Sequence, residues 1–92
     1  MRARLLLKER TDLGDAFVEL VIRHLPRSLP GPADGYQYRM ALVKQGVGVI
    51  RYDNEARKGD HRHVDGCEGP YRFIDLATLI RDCRQAVKES MT

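Results

Sequence analysis

The alternation of apolar and polar residues in the first part of the chain predicts β-strands. Residues 3–11 alternate in part, and we expect Leu5 and Leu7 to share a face. Residues 17–25 alternate more clearly, with apolar side chains at every second position. Because residues 12–15, with the sequence DLGD, have the composition of a turn, the two strands are expected to form an antiparallel hairpin.

A second hairpin is predicted further along the chain. Residues 36–44 and 47–53 alternate in the same way, and Gln45-Gly46 separates them as a short turn. The segment between the hairpins, residues 26–35, holds three prolines and two glycines. This composition is incompatible with a strand or a helix and predicts a loop.

The C-terminal segment changes its period from two to that of a helix. Apolar residues recur at helical spacing between Leu76 and Val87, and Asp75 is well placed to act as the N-cap. Residues 60–64 are expected to enter the sheet as a further extended segment. The predicted fold is therefore α+β: an antiparallel four- to five-stranded β-meander with one C-terminal helix packed on the sheet, forming a single domain over residues 1–92.

Composition places the chain among globular proteins of ordinary kind. Its 92 residues are 42% hydrophobic and 32% charged, which argues against disorder and leaves no room for a second core. The net charge of +3 is compatible with a polyanionic partner but does not require one.

Cys67 and Cys83 lack the paired spacing of a zinc site, and Cys83 falls on the apolar stripe of the helix. Both are expected to be free thiols in a cytoplasmic protein, and the apolar run at 5–7 is too short for a signal peptide or a membrane span.

The stretch RYDNEARKGDHRH, residues 51–63, is the candidate site. Nine of its thirteen side chains are charged or histidine, and in an extended chain His61 and His63 point the same way, about 6–7 Å apart. Two neighbouring imidazoles can divide the roles of general base and general acid. RNA cleavage by its own 2′-hydroxyl needs such a pair with cations beside the phosphate, and Lys58 and Arg62 are close in sequence.

The residues themselves leave three interpretations open. The first is this nuclease-like histidine pair, with tyrosines at 36, 38 and 52 as surfaces for stacking bases. The second is a divalent metal bound by His61 and His63 with Asp60 or Asp53. The third is a solvated loop whose charges pair locally, with the tyrosines in the core of the sheet.

The order of motifs also resembles a known family. The blocks RYDN at 51–54 and KGDHRH at 58–63, within a similar order of strands and loops from residue 3 to the terminal helix, are similar to the TumE-type toxins of prokaryotic toxin–antitoxin pairs. The resemblance implies a small toxin neutralised by a cognate antitoxin with a helix-turn-helix domain. It also implies ribonuclease activity on RNA. We expect no cofactor and no membrane partner.

Resemblance and residue chemistry together lead to one assignment of site residues. The predicted catalytic residues are His61, His63, Lys58 and Asp60. The predicted substrate-binding residues are Arg51, Tyr52, Asp53, Asn54 and Arg62, and no metal ligand is assigned. A non-enzymatic RNA- or protein-binding module and a divalent-metal-dependent nuclease remain as the alternatives.

Overall fold

A computed structural model describes residues 3–26, 35–54 and 59–91. The loop predicted at 26–35 therefore falls almost wholly outside the described residues. Lys58, one of the predicted catalytic residues, also lies outside the described residues.

The described chain forms one antiparallel sheet followed by one helix. Its six strands pair in the order of the sequence, each with the next, which is the topology of a meander. The elements are β1 (Arg4–Asp12), β2 (Ala16–His24), β3 (Tyr36–Lys44), β4 (Val47–Asp53), β5 (His61–Val64), β6 (Cys67–Pro70) and α1 (Leu76–Met91). The predicted α+β meander with a C-terminal helix is confirmed, with one strand more than expected.

The additional strand is β6, which sequence patterning missed because its four residues include a glycine and a proline. Both residues are tolerated here, since β6 is a short strand at the edge of the sheet. The turn before it, Asp65-Gly66, has positive φ at both residues, as does Gln45-Gly46 between β3 and β4. Two consecutive residues of positive φ match the right-handed twist of a hairpin, so both turns set the register of the strands they join.

The first strand departs from the expected alternation. Its register shifts between Leu5 and Leu7, so that Leu5 pairs with Arg23 and Leu7 with the adjacent Ile22. Leu7 packs against the core, whereas Leu5 is 52% exposed. The expectation that these two leucines share a face is wrong, because a β-bulge inserts one residue and reverses the phase of alternation.

The core lies between α1 and one side of the sheet, called here the helix-bearing face. Its buried members alternate along the central strands and include Leu20, Ile22, Tyr38, Met40, Leu42, Ile50 and Tyr52 from the sheet and Leu79 and Cys83 from the helix. The helix begins as predicted, because the backbone N–H of Thr78 donates to Asp75 Oδ1 at 2.7 Å. The opposite side, called here the helix-free face, carries the residues between these positions.

Two further expectations concern the cysteines and the membrane. Cys67 is exposed and Cys83 buried, and both are free thiols, as predicted. Within the part of the chain that the structure describes, no helix is long and apolar enough to cross a membrane.

Candidate functional site

Strand register gathers several charged residues on the helix-free face. Asp53 in β4 lies opposite Arg39 in β3 and His61 in β5, and side chains opposite one another in a sheet share a face. The neighbouring row across the same strands consists of Ala41, Arg51 and His63. Two adjacent rows thus bring both histidines, one carboxylate and two arginines to a single surface.

Asp53 is the buried centre of this group. Only 5% of the residue is exposed, and its Oδ2 lies 3.4 Å from Arg51 Nε. Its Oδ1 lies 3.0 Å from His61 Nε2, but the two atoms are not aligned as a hydrogen bond, and Oδ1 has no hydrogen-bond donor among the described residues. Most buried polar atoms in proteins have a hydrogen-bond partner, because burial removes the water that would otherwise bind them.

Both ring nitrogens of His61 lie close to oxygen atoms. Nδ1 lies 3.1 Å from the Gly59 carbonyl oxygen, and Nε2 lies near two carboxylates, that of Asp53 and, at 3.9 Å, that of Glu68. A neutral imidazole has only one N–H, which here lies on Nδ1 and faces the Gly59 carbonyl. A second proton, on Nε2, would face the two carboxylates. The arrangement orients the ring on the helix-free face.

His63 is the more accessible histidine of the pair. It is half-buried, and its cross-strand neighbours are Arg51 and Glu68. Because one residue separates it from His61 along β5, both imidazoles project from the helix-free face. The structure therefore brings together four of the predicted site residues: His61, His63, Arg51 and Asp53.

A depression of about 450 Å³ adjoins these residues on the helix-free face. It is lined by Phe17, Glu19, Arg39, Ala41, Val43, Arg51, Asp53 and His61. Sequence reasoning missed the lining residues of β2 and β3, which lie far from the motif along the chain. The register of a meander, once known, places them beside it.

Three predicted site residues lie on the other side of the sheet. Tyr52 is 3% exposed and packs edge-on against Tyr71, with ring centroids 5.0 Å apart, and Arg62 lies opposite Tyr52 in the sheet. Asp60 accepts a hydrogen bond from the Tyr38 hydroxyl at 2.7 Å. Burial, and then this bond to Asp60, raises the pKa of Tyr38 above its ordinary value. The structure does not join Tyr52, Asp60 or Arg62 to the histidines, because successive residues of a strand point to opposite faces.

Asn54 is occupied by the backbone of the neighbouring strand. Its Oδ1 accepts from the Tyr38 backbone N–H at 2.9 Å, and its Nδ2 donates to the Tyr36 carbonyl at 2.7 Å. Only 2% of Asn54 is exposed. The Asn54 side chain thus continues the hydrogen bonding to β3 beyond the last residue of β4. Asn54 therefore has no exposed surface for a substrate.

Comparison with known proteins now decides the family. The model of the family described as Toxin TumE matches residues 2–91. The chain belongs to the TumE toxin family. As a TumE toxin it is the toxin component of a toxin–antitoxin pair and has a cognate antitoxin as its partner. No curated protein matches the chain, and no solved structure matches it.

The geometry around the TumE motif can be described by its titratable and charged groups. Among residues 3–26, 35–54 and 59–91, no group of three or more His, Cys, Asp and Glu side chains is arranged to hold a metal ion. The KGDHRH block instead contributes an imidazole set against a carboxylate, His61 on Asp53, with a guanidinium on the other carboxylate oxygen. Such a group can exchange protons and bind an anion at the same place.

Proposed function

We propose that this TumE toxin is an endoribonuclease whose active site is the helix-free face. The observation that supports the proposal is the position of His61 and His63 on one open face of the sheet. Asp53 lies against the His61 ring, and Arg51 contacts Asp53 and lies opposite His63. Such a cluster provides proton-transfer groups and a cation for a phosphate, which are the two requirements of RNA cleavage by an internal nucleophile.

The proposed reaction uses the 2′-hydroxyl of RNA itself. One imidazole removes the hydroxyl proton as O2′ bonds to phosphorus, and the other donates a proton to the 5′-oxygen as its bond to phosphorus breaks. The products are a 2′,3′-cyclic phosphate and a free 5′-hydroxyl. His61 and His63 divide these two tasks, and no further reactant is needed.

Asp53 serves His61 in this scheme as a positioning residue. Its carboxylate lies close enough to stabilise a positive ring, yet the Nε2–Oδ1 contact is not aligned as a hydrogen bond. In the positively charged ring, the proton on Nε2 is therefore not committed to Asp53. It remains available to an oxygen bound in the depression that His61 lines.

Arginines supply the positive charge for the phosphate. The Arg51 side chain is 57% exposed although its Nε contacts Asp53, so the rest of the guanidinium can bind phosphate oxygens without leaving the carboxylate. Arg39 is exposed on the same face, opposite Asp53 in the sheet. Fixed cations of this kind stabilise the charge that develops on the phosphate oxygens in the transition state.

The proposal extends to the partners and the compartment. RNA is the substrate, and the cognate antitoxin carries a helix-turn-helix domain and inhibits by covering the helix-free face. Lys58, which belongs to the motif but lies outside the described residues, is proposed as a further cation for the phosphate. The toxin acts in the cytoplasm, where its RNA target lies and where Cys67 and Cys83 stay reduced.

The test is cleavage of purified RNA by the purified toxin, with and without EDTA. His61→Ala and His63→Ala should each lower the cleavage rate by about 10²–10⁴, and the wild-type rate should follow a bell-shaped pH profile. The two losses should not add, because both groups serve one transition state. His24→Ala is the matched control: it removes the remaining histidine, which is exposed at the end of β2 and pairs with Tyr36 on the side of the sheet that bears the helix.

Three outcomes would contradict the proposal. Full activity of both histidine variants would remove the active site from this face. Cleavage that EDTA abolishes and Mn²⁺ or Mg²⁺ restores would instead indicate a metal-dependent nuclease. A toxin that arrests growth without cutting RNA would be a binding module.

A further inference from the structure

Ala41 creates the depression on the helix-free face. It lies in a row across three strands, between Glu19 of β2 and Arg51 of β4. Its methyl group is far shorter than the side chains on either side, so the row has a gap at its centre. Because adjacent strands are about 4.8 Å apart, the backbones carrying Glu19 and Arg51 are separated by about 10 Å.

Two apolar side chains close one end of this gap. Phe17 and Val43 lie opposite each other, one row away from Ala41, and both line the depression. The Arg10 guanidinium lies 4.0 Å from the centroid of the Phe17 ring and fixes that ring from the β1 side. The depression therefore combines an apolar wall with a carboxylate at one side and a phosphate-binding guanidinium at the other.

Glu19 is the polar group that the proposed cleavage chemistry does not use. Its side chain is 38% exposed, and its Oε1 lies 3.6 Å from an Arg10 nitrogen. An exposed ion pair of that length contributes little, so it does not prevent the carboxylate from accepting other hydrogen bonds. The two oxygens can accept from two adjacent N–H donors of one ligand.

We propose that the depression over Ala41 binds an unpaired guanine base of RNA, with Glu19 accepting hydrogen bonds from the Watson–Crick edge of the base. This inference rests on the proposed ribonuclease function and specifies its substrate. Guanine presents two donors side by side on that edge, the ring N–H and the exocyclic amino group, which match the two oxygens of a carboxylate. Adenine and cytosine offer one amino donor beside a ring acceptor, and uracil one N–H between two carbonyls, so each leaves a carboxylate oxygen unmatched or facing an acceptor.

The position of the depression also predicts where RNA is cut. We expect the 3′-phosphate of a base held by Glu19 to lie near Arg51, because the backbones that carry these two residues are about 10 Å apart, which one nucleotide can span. The phosphate at Arg51 is the one that the neighbouring His63 would act on. Cleavage is therefore expected directly after guanine.

Nucleotide binding tests this independently of catalysis. The full chain is titrated with guanosine, adenosine, cytidine and uridine 3′-monophosphates and followed by NMR or calorimetry. Guanosine 3′-monophosphate should bind most tightly, and Glu19→Gln should weaken it by about tenfold or more, because the amide keeps only one acceptor and loses the charge. Ala41→Leu should abolish the preference by filling the gap.

Matched controls come from positions away from this face. Glu9→Gln makes the same change on β1, where Glu9 contacts Arg84 of the helix at 3.6 Å. Ala77→Leu makes the same change at an exposed helix position. Both controls should bind the nucleotides as the wild type does, and circular dichroism establishes that each variant is folded.

Mapping the cut sites in RNA separates this inference from the proposed function. If the wild type cuts after guanine and Glu19→Gln cuts without base preference, both the guanine site and the ribonuclease function are supported. Cleavage by the wild type without base preference, together with equal affinity for the four nucleotides, would overturn the guanine site and leave the ribonuclease intact. Selective binding of the guanosine nucleotide by a protein that cuts no RNA would support the site and overturn the catalytic function.

Discussion

Replacing Asn54 with alanine should destabilise the fold strongly, although the residue lies in the motif that marks the family. The side chain makes two hydrogen bonds to β3, from the Tyr38 N–H at 2.9 Å and to the Tyr36 carbonyl at 2.7 Å. Tyr38 is only 1% exposed, so water cannot replace the lost acceptor. A buried N–H without a partner costs about 1–3 kcal/mol, and the second lost bond adds about 0.5–1.5 kcal/mol.

The expected loss is therefore about 2–4 kcal/mol of unfolding free energy. A domain of this size has a total stability of about 5–14 kcal/mol, so the change removes a large share of it. At about 4–8 °C per kcal/mol, the melting temperature should fall by roughly 10–30 °C. In urea, with a slope of about 1–1.5 kcal/mol/M, the midpoint should move down by about 1–4 M at an unchanged slope.

Gln37→Ala is the control for this experiment. It removes a carboxamide from β3, the strand to which Asn54 is bonded, at the position between Tyr36 and Tyr38, whose side chain points to the helix-free face. Its cost should stay below about 1 kcal/mol. If Asn54→Ala costs no more than Gln37→Ala and abolishes RNA cleavage instead, Asn54 binds substrate and our account of the end of β4 is refuted.

Two further predictions follow from buried ionisable groups. Burial, followed by hydrogen bonds to Asp60 and Asp82, raises the pKa values of Tyr38 and Tyr71 above the ordinary value of about 10. Below about pH 10 the phenols are protonated in both the folded and the unfolded state, and their full contribution to the free energy of unfolding is present. Above about pH 10 the unfolded chain releases these protons and the folded chain does not, so the free energy of unfolding falls as pH rises. Urea titrations from pH 8 to 11 should show this fall, and Tyr38→Phe should reduce it; a pH-independent stability would contradict the assignment. Burial also raises the pKa of Cys83 to about 12, whereas Cys67 is exposed, so a thiol reagent should modify Cys67 alone in the native protein and both after unfolding. Equal rates for the two thiols in the native state would refute the burial of Cys83.

Local patterns in the sequence were sufficient for most of the elements. Alternation along β2, β3 and β4 predicts strands because one side of a sheet is buried, and the change of period after Asp75 predicts the helix for the same reason. The turn at residues 45–46 was predictable because Gly46 adopts positive φ without strain. In each case the determining interactions lie within a few residues of one another.

Tertiary structure decided everything that depends on pairing between distant segments. The phase of β1 changed at a bulge, and β6 formed because a two-residue turn folds it back on β5. Hydrophobic periodicity predicts neither feature. The four residues of β6, at the edge of the sheet, bury too little apolar surface to produce an alternating pattern.

The candidate site shows the same division. The motif at 51–63 contains the histidines and Asp53, and its spacing correctly indicates that His61 and His63 point one way. The motif does not reveal that Tyr52, Asn54 and Arg62 serve the opposite face or the adjoining backbone. Nor does it contain Glu19 or Ala41, which reach the site only because antiparallel register aligns them with Arg51 across two strand pairs. Sequence determines which chemical groups are present, and register determines which of them meet, because a shift of one residue moves every side chain of a strand to the other face.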